Sequence, residues 1–412
     1  MKTSLERIQN DIEQLSNFNA TPGKGLTRMS FTKEDRGARE YIKEQMVLAG
    51  LEVYEDAAGT VIGRLEGELK DAPTVMVGSH YDSVKNGGNF DGPAGVVTAL
   101  ETARVMMDNG LKPKYPVEFI AMIEEEGGRF GGGLFASRAM VGRVTRESLD
   151  SFKDSDGVSI AVAMKEFGFD PDNIQDAIRK PEDIKAFIEL HIEQGPVLES
   201  GEKDIGIVEY IVGICQIEVV VKGRPDHAGT TPMIMRADAL DAASLAISKI
   251  STFAKDAGEG TVSTVGTLSI LPGAANIVPG EVKFTVDMRS KKSECIVDVK
   301  DKIENALAEI ASSKGVTYTI VEKLSVPPIK LDDDIISKLN KHSDNLGFSV
   351  QSMLSGAGHD AMVMASITDV GLVFVPSKDG RSHCPEEWTD YEDLQKGIEI
   401  VCETIIEISE AI

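Results

Sequence analysis

Cysteine is scarce in this 412-residue chain, which has only four. Cys215, Cys295, Cys384 and Cys402 lie far apart and form no CxxC pair. Such spacing argues against a disulfide framework and against a zinc ribbon, because both need cysteines in closely spaced or matched sets. We therefore expect reduced thiols, as in cytoplasmic proteins.

Long apolar runs and an excess of basic charge are also lacking. No uninterrupted apolar segment approaches the roughly 18 residues of a membrane span, and the amphipathic segment MKTSLERIQNDIEQL has no apolar core of a signal peptide. The 43 basic and 67 acidic residues give a formal net charge of -24. Because such a surface repels phosphate backbones and anionic lipids, we expect no nucleic-acid or membrane partner and a cytoplasmic location.

Motifs for nucleophilic catalysis and nucleotide binding are absent as well. There is no GxSxG elbow, and the GGRFGGG stretch lacks both the GxGxxG spacing and the lysine of a P-loop. Neither a serine hydrolase nor a nucleotide-binding protein is indicated.

The chain instead concentrates its histidines. Five of the six lie in short polar motifs, most of which also carry carboxylates, whereas His342 lies in a helical pattern and is interpreted as a surface residue. Nitrogen and oxygen ligands of this kind suit borderline divalent metals, and two ions would leave one carboxylate free as a base. The set comprises His80, Asp91, Glu125, Glu126, His191 and His383.

The candidate ligands follow predicted strands. His80 follows the apolar run 74–79, the three consecutive glutamates follow the run 117–123, and His191 comes directly after the run 185–190. Since open α/β sheets bind ligands at the carboxyl ends of their strands, these motifs can converge on one site. Asp82, two residues after His80, can hydrogen-bond an imidazole from behind.

Each motif also has a structural interpretation. Asp91 can cap the helix that begins at Pro93, Glu124 to Glu126 can be a solvated charge run, and a lone His191 can be a satisfied core histidine. The spacing does not assign roles among the three glutamates. Only the combination of the motifs favours a metal site.

Alternation of strands and helices in the first half predicts an α/β domain with a sheet flanked by helices. The middle has β-branched, alternating strands and two helices, which is typical of a small α+β domain. We predict that residues 211–326 form this insertion, and that residues 1–210 and 327–412 form one catalytic domain. His383 lies in the returning part, so the small domain is inserted rather than appended.

The chain resembles the hydantoinase/carbamoylase branch of the two-metal, aminoacylase-type amidohydrolases, from the LTR segment near Arg28 to EWTDYEDL. The motifs, in the order of that family, are GSHYDSV, NGGNFDG, EEEGGRF, ELHIEQGPVLES, HAGTTPM, NIVPG, SGAGHD and SHCPEE. Members include N-carbamoyl-L-amino-acid hydrolases, β-ureidopropionases and allantoate amidohydrolases. The resemblance implies a metallopeptidase-like catalytic domain with an inserted lid and dimerisation domain.

The resemblance also implies roles for individual residues. It implies one metal on His80 and His191, the other on Glu126 and His383, and Asp91 bridging them. Glu125 becomes the general base, Asp82 the partner of His80, and His227 a group that polarises the reacting carbonyl across a dimer interface. Asn276 and Arg289 are implied to hold the substrate carboxylate. The candidates for substrate contact are Gln194, Gln216, Asn276, Arg289, Gly358 and His359.

The expected reaction is therefore hydrolysis of the C–N bond of a ureido group in a carboxylate-bearing substrate, with release of ammonia and CO2. N-carbamoyl-L-amino acids and 3-ureidopropionate are the first substrates to consider. Allantoate is an alternative, although Ile214-Cys215-Gln216 replaces a more polar stretch of those enzymes. A second departure from the family as a whole is Gly128, which stands where many relatives have serine. An N-acyl-amino-acid hydrolase or dipeptidase could use the same site. Two divalent ions are expected, Zn²⁺ first, with Mn²⁺, Co²⁺ or Ni²⁺ as alternatives, in a homodimer joined through the lid domain.

Overall fold

The computed structural model describes residues 1–412. No helix is both long and apolar enough to cross a membrane. The helices are α1 (Leu5–Ser16), α2 (Lys33–Leu48), α3 (Pro93–Asp108), α4 (Phe135–Met140), α5 (Arg146–Ser151), α6 (Ile160–Phe167), α7 (Val197–Ser200), α8 (Ala239–Ala257), α9 (Ser293–Lys314), α10 (Asp333–Leu346), α11 (Asp360–Met364) and α12 (Tyr391–Ile408).

The strands alternate with these helices in the first part of the chain. They are β1 (Glu52–Glu55), β2 (Val61–Leu65), β3 (Thr74–His80), β4 (Val117–Met122), β5 (Ile184–Ile192), β6 (Ile205–Ile211), β7 (Gly213–Lys222), β8 (Val262–Leu271), β9 (Glu281–Ser290), β10 (Thr317–Val326), β11 (Ile329–Lys330), β12 (Val350–Ser355) and β13 (Val370–Val375). The α/β class predicted from the sequence is confirmed.

The chain folds into two compact units. The large unit comprises Met1–Glu209, Leu331–Met353 and Gly358–Ile412, and the small unit comprises Tyr210–Lys330 and Leu354–Ala357. The sequence placed the inserted segment at 211–326, whereas the small unit begins one residue earlier, ends four residues later and also includes Leu354–Ala357, which are the last two residues of β12 and the two that follow it.

The large unit contains a mixed sheet. Its strands run in the order β1-β2-β4-β3-β5-β13-β6, and β12 also pairs with β6. The four central strands are parallel to one another, whereas β1, β2 and β6 pair antiparallel. Every residue of β3, β4 and β13 is buried, because helices cover both faces of a parallel sheet. The carboxyl ends of the central strands therefore meet at one edge.

The small unit is an antiparallel sheet with the order β10-β7-β9-β8. In β7 and β9, buried and partly exposed residues alternate, so one face of the sheet is apolar. The side chains of that face pack with those of α8 and α9 around the fully buried Phe284. This arrangement agrees with the α+β texture of the middle segment.

Polar side chains begin several helices at the positions where the sequence changes from loop to helix. The side chains of Ser4, Thr32, Asp238 and Asp332 accept hydrogen bonds from backbone N–H groups in the first turns of α1, α2, α8 and α10. These contacts satisfy donors that have no partner within the helix.

His342 on α10 is not the surface residue that its polar neighbours suggested. Its side chain is only 12% exposed, and its Nε2 lies 2.6 Å from the Glu407 carboxylate on α12. The interpretation was wrong because α10 packs against α12, a contact between segments 65 residues apart.

Candidate metal centre

The predicted ligands of the large unit meet at the carboxyl edge of its parallel strands. His80 is the last residue of β3, His191 is the penultimate residue of β5, and Glu126 lies in the loop that follows β4. Asp91 precedes α3, and His383 follows β13 in the loop before α12. The topology of the sheet thus brings together motifs that are up to about 300 residues apart.

Asp91 lies between two groups of possible ligands. Its Oδ1 is 3.6 Å from Nε2 of His80 and 3.3 Å from Nε2 of His191. Its Oδ2 is 3.3 Å from Nε2 of His383, and the same nitrogen is 3.3 Å from Oε2 of Glu126. Each of these two triads has the side chains and spacing to hold a metal ion, and Asp91 belongs to both.

The imidazoles have the orientation that a metal requires. Nδ1 of His80 lies 3.2 Å from the carbonyl oxygen of Asp82, and Nδ1 of His191 lies 2.9 Å from that of Ile192. A proton on each Nδ1 satisfies these carbonyls and leaves the Nε2 lone pair facing Asp91. Nε2 of His80 and Oε1 of Glu126 are buried without a hydrogen-bond partner in the protein. One cation in each triad would satisfy one of these atoms, so the residues fit a pair of divalent ions.

The three consecutive glutamates point in different directions. Glu124 has a φ of 53°, its side chain is buried, and its Oε1 accepts a hydrogen bond from the backbone N–H of Phe130. Glu125 directs its Oε2 to within 3.7 Å of Nε2 of His80, while Glu126 faces the other triad. Only one of the three, Glu125, therefore adjoins the cluster without belonging to either ligand triad.

Asp82 supports the backbone of this glutamate loop. Its two carboxylate oxygens accept hydrogen bonds from the N–H groups of Glu125 and Glu126, at 3.1 and 3.3 Å. Its Oδ1 is 3.5 Å from Nδ1 of His80, farther than its own carbonyl oxygen. Asp82 was predicted as the partner of the His80 imidazole, but the closer partner of that ring is the backbone of Asp82.

The electrostatics of the cluster show a demand for positive charge. Burial, and after it the nearby Asp91 carboxylate, raise the pKa of Glu126 to about 7. Burial likewise raises the pKa of Glu125 well above its usual range. Burial also opposes ionisation of Asp91, but His191 and the other imidazoles hold the pKa of Asp91 well below its usual range. Several carboxylates in so small a buried volume repel one another unless cations balance them.

A glycine allows the helix α3 to approach the ligands. Gly92 has a φ of 82°, and a Cβ atom at this position would lie 2.4 Å from the ring of His80. Both the backbone conformation and the close approach require glycine here. The NFDG motif therefore combines the candidate ligand Asp91 with the glycine that allows its close approach to His80.

Several side chains hold Asp91 from outside the two triads. Nε2 of Gln194 donates a hydrogen bond to Oδ2 of Asp91 at 2.6 Å, and the hydroxyl of Ser382 lies 2.7 Å from the same oxygen. Glu387 accepts a hydrogen bond from the backbone N–H of Asp91. Sequence reasoning assigned Gln194 to the substrate and gave no role to Ser382 or Glu387. The SHCPEE motif contained both, but only His383 was recognised as chemically active.

His359, predicted to contact substrate, is buried beside a metal-ligand candidate. Its residue surface is 2% exposed, and its ring centroid lies 4.5 Å from that of His191 and 5.6 Å from that of Phe374. Burial and the neighbouring His191 lower the pKa of His359 well below its usual range, so its imidazole is neutral at pH 7. Gly358, predicted with it, is partly exposed on the preceding loop.

The remaining predicted residues lie in the small unit. His227 and Asn276 are exposed and lie close together, because His227 pairs with Ile277 in an isolated β-bridge. Nδ1 of His227 accepts hydrogen bonds from the backbone N–H groups of Gly229 and Thr230. This contact leaves Nε2 of the ring as the nitrogen that carries the proton and can donate it in a hydrogen bond.

Gln216 and Arg289 share one acidic partner. Arg289 donates from Nε and Nη2 to the carboxylate of Asp287, and Gln216 donates to the same carboxylate at 2.8 Å. Nη1 of Arg289 donates to the carbonyl oxygen of Gly356. Asp287 was not among the predicted residues, although its position two residues before Arg289 on β9 places both side chains on one face of the strand.

Comparison with known proteins identifies the class of protein to which this fold and this cluster belong. The model of peptidase family M20/M25/M40 matches residues 76–407. The chain therefore belongs to this family.

Individual relatives indicate which branch of this family the chain resembles. An N-carbamoyl-L-amino-acid amidohydrolase from Paenarthrobacter aurescens is 49% identical over 400 residues, which are 97% of each chain. An allantoate amidohydrolase from Bacillus subtilis (strain 168) is 34% identical over 98% of this chain and 97% of its own. The crystal structure of a hydantoinase/carbamoylase family amidase from Burkholderia multivorans matches with a TM-score of 0.93 and 32% identity, over 99% of this chain and 98% of that one. The resemblance deduced from the motifs is confirmed.

Proposed function

We propose that this protein is a metal-dependent amidohydrolase that cleaves the C–N bond of a ureido group in a carboxylate-bearing substrate, releasing ammonia and CO2. The single observation that carries the proposal is the cluster in which Asp91 is shared by two candidate ligand triads, with Glu125 beside them. The relatives named for N-carbamoyl-L-amino-acid and allantoate hydrolysis support the choice of a ureido group.

The chain's own residues would hold two divalent ions. His80 and His191 would bind one, Glu126 and His383 would bind the other, and Asp91 would bind both. Bound divalent ions supply Lewis acidity, which polarises a carbonyl and makes water acidic enough to attack at neutral pH. Histidine nitrogens with carboxylate oxygens suit Zn²⁺ and also Mn²⁺, Co²⁺ or Ni²⁺.

Glu125 is the proton carrier in this proposal. Its carboxylate lies next to His80 but is not needed as a ligand, and its burial raises its pKa, which strengthens it as a base. Glu125 accepts the proton of the attacking water and then delivers it to the departing ureido nitrogen. One carboxylate can perform both transfers because the nitrogen leaves only after the water has been deprotonated.

Arg289 would bind the substrate carboxylate. Its side chain uses three of its five N–H donors on Asp287 and Gly356, which leaves two for a ligand. A guanidinium is suited to a carboxylate because it can donate two parallel hydrogen bonds. Asn276 and Gln216 are proposed to complete the polar contacts to substrate. In a protein with a net charge of -24, such local positive charge is needed to retain an anionic substrate.

A homodimer is proposed to form through the small unit, with His227 donating from Nε2 to the reacting carbonyl in the partner's site. The loop after His227 supports an interface, because it exposes three consecutive apolar side chains. Met233, Ile234 and Met235 are 75%, 96% and 60% exposed. Consecutive residues with such highly exposed apolar side chains are typical of a contact surface.

Ammonia release tests the reaction. Metal-reconstituted protein would be offered N-carbamoyl-L-amino acids, 3-ureidopropionate and allantoate, with an N-acetyl amino acid as the control that contains no ureido group. We expect ammonia from at least one ureido compound and its loss on chelation. Silence on every ureido compound, with bound metal confirmed, would contradict the proposal and favour acylase or dipeptidase chemistry at the same site.

Substitution of Glu125 tests the proton carrier. Glu125→Gln should bind metal as the wild type does but lose about 10²- to 10⁴-fold in turnover, the usual contribution of general acid–base catalysis. Glu386→Gln is the matched control, because Glu386 is exposed and pairs only with Arg381. Near-normal turnover in Glu125→Gln would show that another group carries the proton.

Allantoate remains the second candidate substrate. It also offers a ureido group and a carboxylate, and an allantoate amidohydrolase is among the relatives that match over almost the full chain. The N-carbamoyl-L-amino-acid enzyme is the more similar of the two, at 49% against 34% identity. The substrate panel above distinguishes them directly.

A further inference from the structure

Asp91 is the ligand candidate on which both triads depend, so its orientation decides whether two ions can bind. The loop around it, NGGNFDG, is rich in glycine, so contacts from other segments matter for holding it in place. We propose that Glu387 is a positioning residue that fixes Asp91 and His383 relative to each other for two-metal binding. This inference rests on the proposed metal-dependent function.

The contacts of Glu387 reach Asp91 through the backbone. Glu387 is 4% exposed, and its Oε1 accepts hydrogen bonds from the N–H groups of Phe90 and Asp91, at 2.9 and 3.0 Å. Two backbone donors on one carboxylate oxygen hold the peptide plane that precedes Asp91. Holding that plane restricts the directions that the Asp91 side chain can take.

A second path runs through a hydroxyl. Ser382 Oγ lies 2.9 Å from Oε2 of Glu387 and 2.7 Å from Oδ2 of Asp91. A hydroxyl has one proton, so it donates to only one of these carboxylates at a time. A glutamine at 387 could donate from its amide to the hydroxyl oxygen and leave the hydroxyl proton for Asp91, while its carbonyl oxygen still accepted from the backbone.

The surroundings of Glu387 pack closely against its carboxylate. A Cβ atom on Gly88 would lie 2.2 Å from Oε1 of Glu387, so the loop backbone passes directly against the carboxylate. Trp388 packs edge-on against Phe90, with ring centroids 5.2 Å apart, on the chain segments that meet there. The glycine and the aromatic pair bring the loop 88–91 onto the carboxylate, whose Oε1 has two backbone partners and whose Oε2 has the Ser382 hydroxyl.

The two triads differ in their dependence on Glu387. Glu387 lies on the same loop as His383, four residues later, and accepts a hydrogen bond from the backbone of Asp91. It therefore joins the two chain segments that carry His383 and Asp91, both of which belong to the triad with Glu126. The side chain of His383 is 49% exposed, whereas His80 is 1% exposed and stands at the end of a buried strand. Loss of Glu387 should therefore weaken the more exposed triad more than the buried one.

Metal titration without substrate tests this inference. Wild type, Glu387→Ala, Glu387→Gln and the exposed neighbour Glu386→Ala would be titrated with Zn²⁺ against a competing chelator, and the metal retained after dialysis would be counted. We expect Glu387→Ala to bind the second equivalent about 10- to 100-fold more weakly, the usual effect of removing a residue that orients a ligand. Glu387→Gln should stay within about threefold of the wild type, because it keeps the hydrogen bonds, and Glu386→Ala should be unchanged.

Several outcomes would overturn the inference. One is wild-type affinity for both equivalents in Glu387→Ala, and another is an equal loss in Glu387→Gln, which would assign the effect to charge rather than to hydrogen bonding. If Glu387→Ala fails to fold, Ser382→Ala replaces it, because this change removes only the hydrogen bonds of the hydroxyl. Ser382→Ala should weaken binding of the second Zn²⁺ equivalent less than tenfold. Unchanged affinity in this variant would count against the inference. Wild type that bound two equivalents but hydrolysed no ureido compound would contradict the proposed reaction and leave this inference standing.

Discussion

The buried carboxylate of Asp35 offers the sharpest test of what stabilises the large unit. Asp35 is 1% exposed on α2, and its Oδ2 accepts a hydrogen bond from the N–H of Phe31 at 2.6 Å. Its Oδ1 accepts from the hydroxyl of Tyr81 at 2.6 Å and lies 3.3 Å from Nε of Arg39. One side chain thus satisfies three buried donors, and one of these belongs to the residue that follows His80.

Replacing Asp35 with alanine should destabilise the protein by about 3–5 kcal/mol. Each buried donor left without a partner costs about 1–3 kcal/mol, and breaking a buried ion pair costs about 3–5 kcal/mol. The costs of the unpaired donors and of the broken ion pair do not add in full, because Arg39 keeps its contacts with Glu55 and with the carbonyl oxygen of Gly59. The loss should therefore come mainly from Tyr81 and Phe31.

Urea unfolding of metal-free protein measures this loss. The only tryptophan, Trp388, lies in the large unit, so its fluorescence reports that unit rather than the small one. Glu40→Ala on the same helix is the control, because its side chain is 60% exposed and a surface change of this kind costs within about 0.5 kcal/mol. A free energy of unfolding for Asp35→Ala within about 1 kcal/mol of the wild type would refute the argument.

Two further predictions concern pH and assembly. Burial disfavours ionisation of Asp204, but hydrogen bonds from Lys396 and Ser349 outweigh burial and lower the pKa of Asp204 to about 2. The ionised carboxylate therefore stabilises the fold at pH values above the ordinary pKa of aspartate. This stabilisation is lost as the pH falls from about 4 towards 2. Asp204→Asn should accordingly melt below the wild type at pH 6 and converge with it near pH 2, and a constant difference in melting temperature across that range would contradict the sign. Ile234→Asp should shift the proposed dimer towards monomer in sedimentation velocity, because this change places a charge in an apolar contact. The control Lys255→Asp, at an exposed position, should leave the dimer unchanged. An unchanged dimer in Ile234→Asp would show that the interface lies elsewhere.

Much of the fold could be deduced from patterns that extend over only a few residues. Apolar runs followed by polar residues marked β3, β4 and β5, and alternation of buried and exposed residues marked β7 and β9. These features are local, because side-chain periodicity follows directly from the geometry of a strand or a helix.

The directions of individual carboxylates could not be deduced in this way. Glu124, Glu125 and Glu126 are identical in chemistry, and they are separated only by the left-handed backbone of Glu124 and by the N–H groups that Asp82 accepts. Arg289 likewise looked free in the sequence, yet Asp287 on the same strand face occupies two of its donors. Such roles depend on backbone direction, which residue type alone does not reveal.

The sequence by itself determined the set of candidate ligands in this protein: histidines and carboxylates at the ends of predicted strands, in motifs whose order identifies the family. Only the tertiary structure decided which oxygen faces which nitrogen, and it added Glu387, whose contact with Asp91 spans 296 residues. The physical reason is that strand periodicity and turn composition act over a few residues. A hydrogen bond between distant segments exists only after the sheet has brought them together.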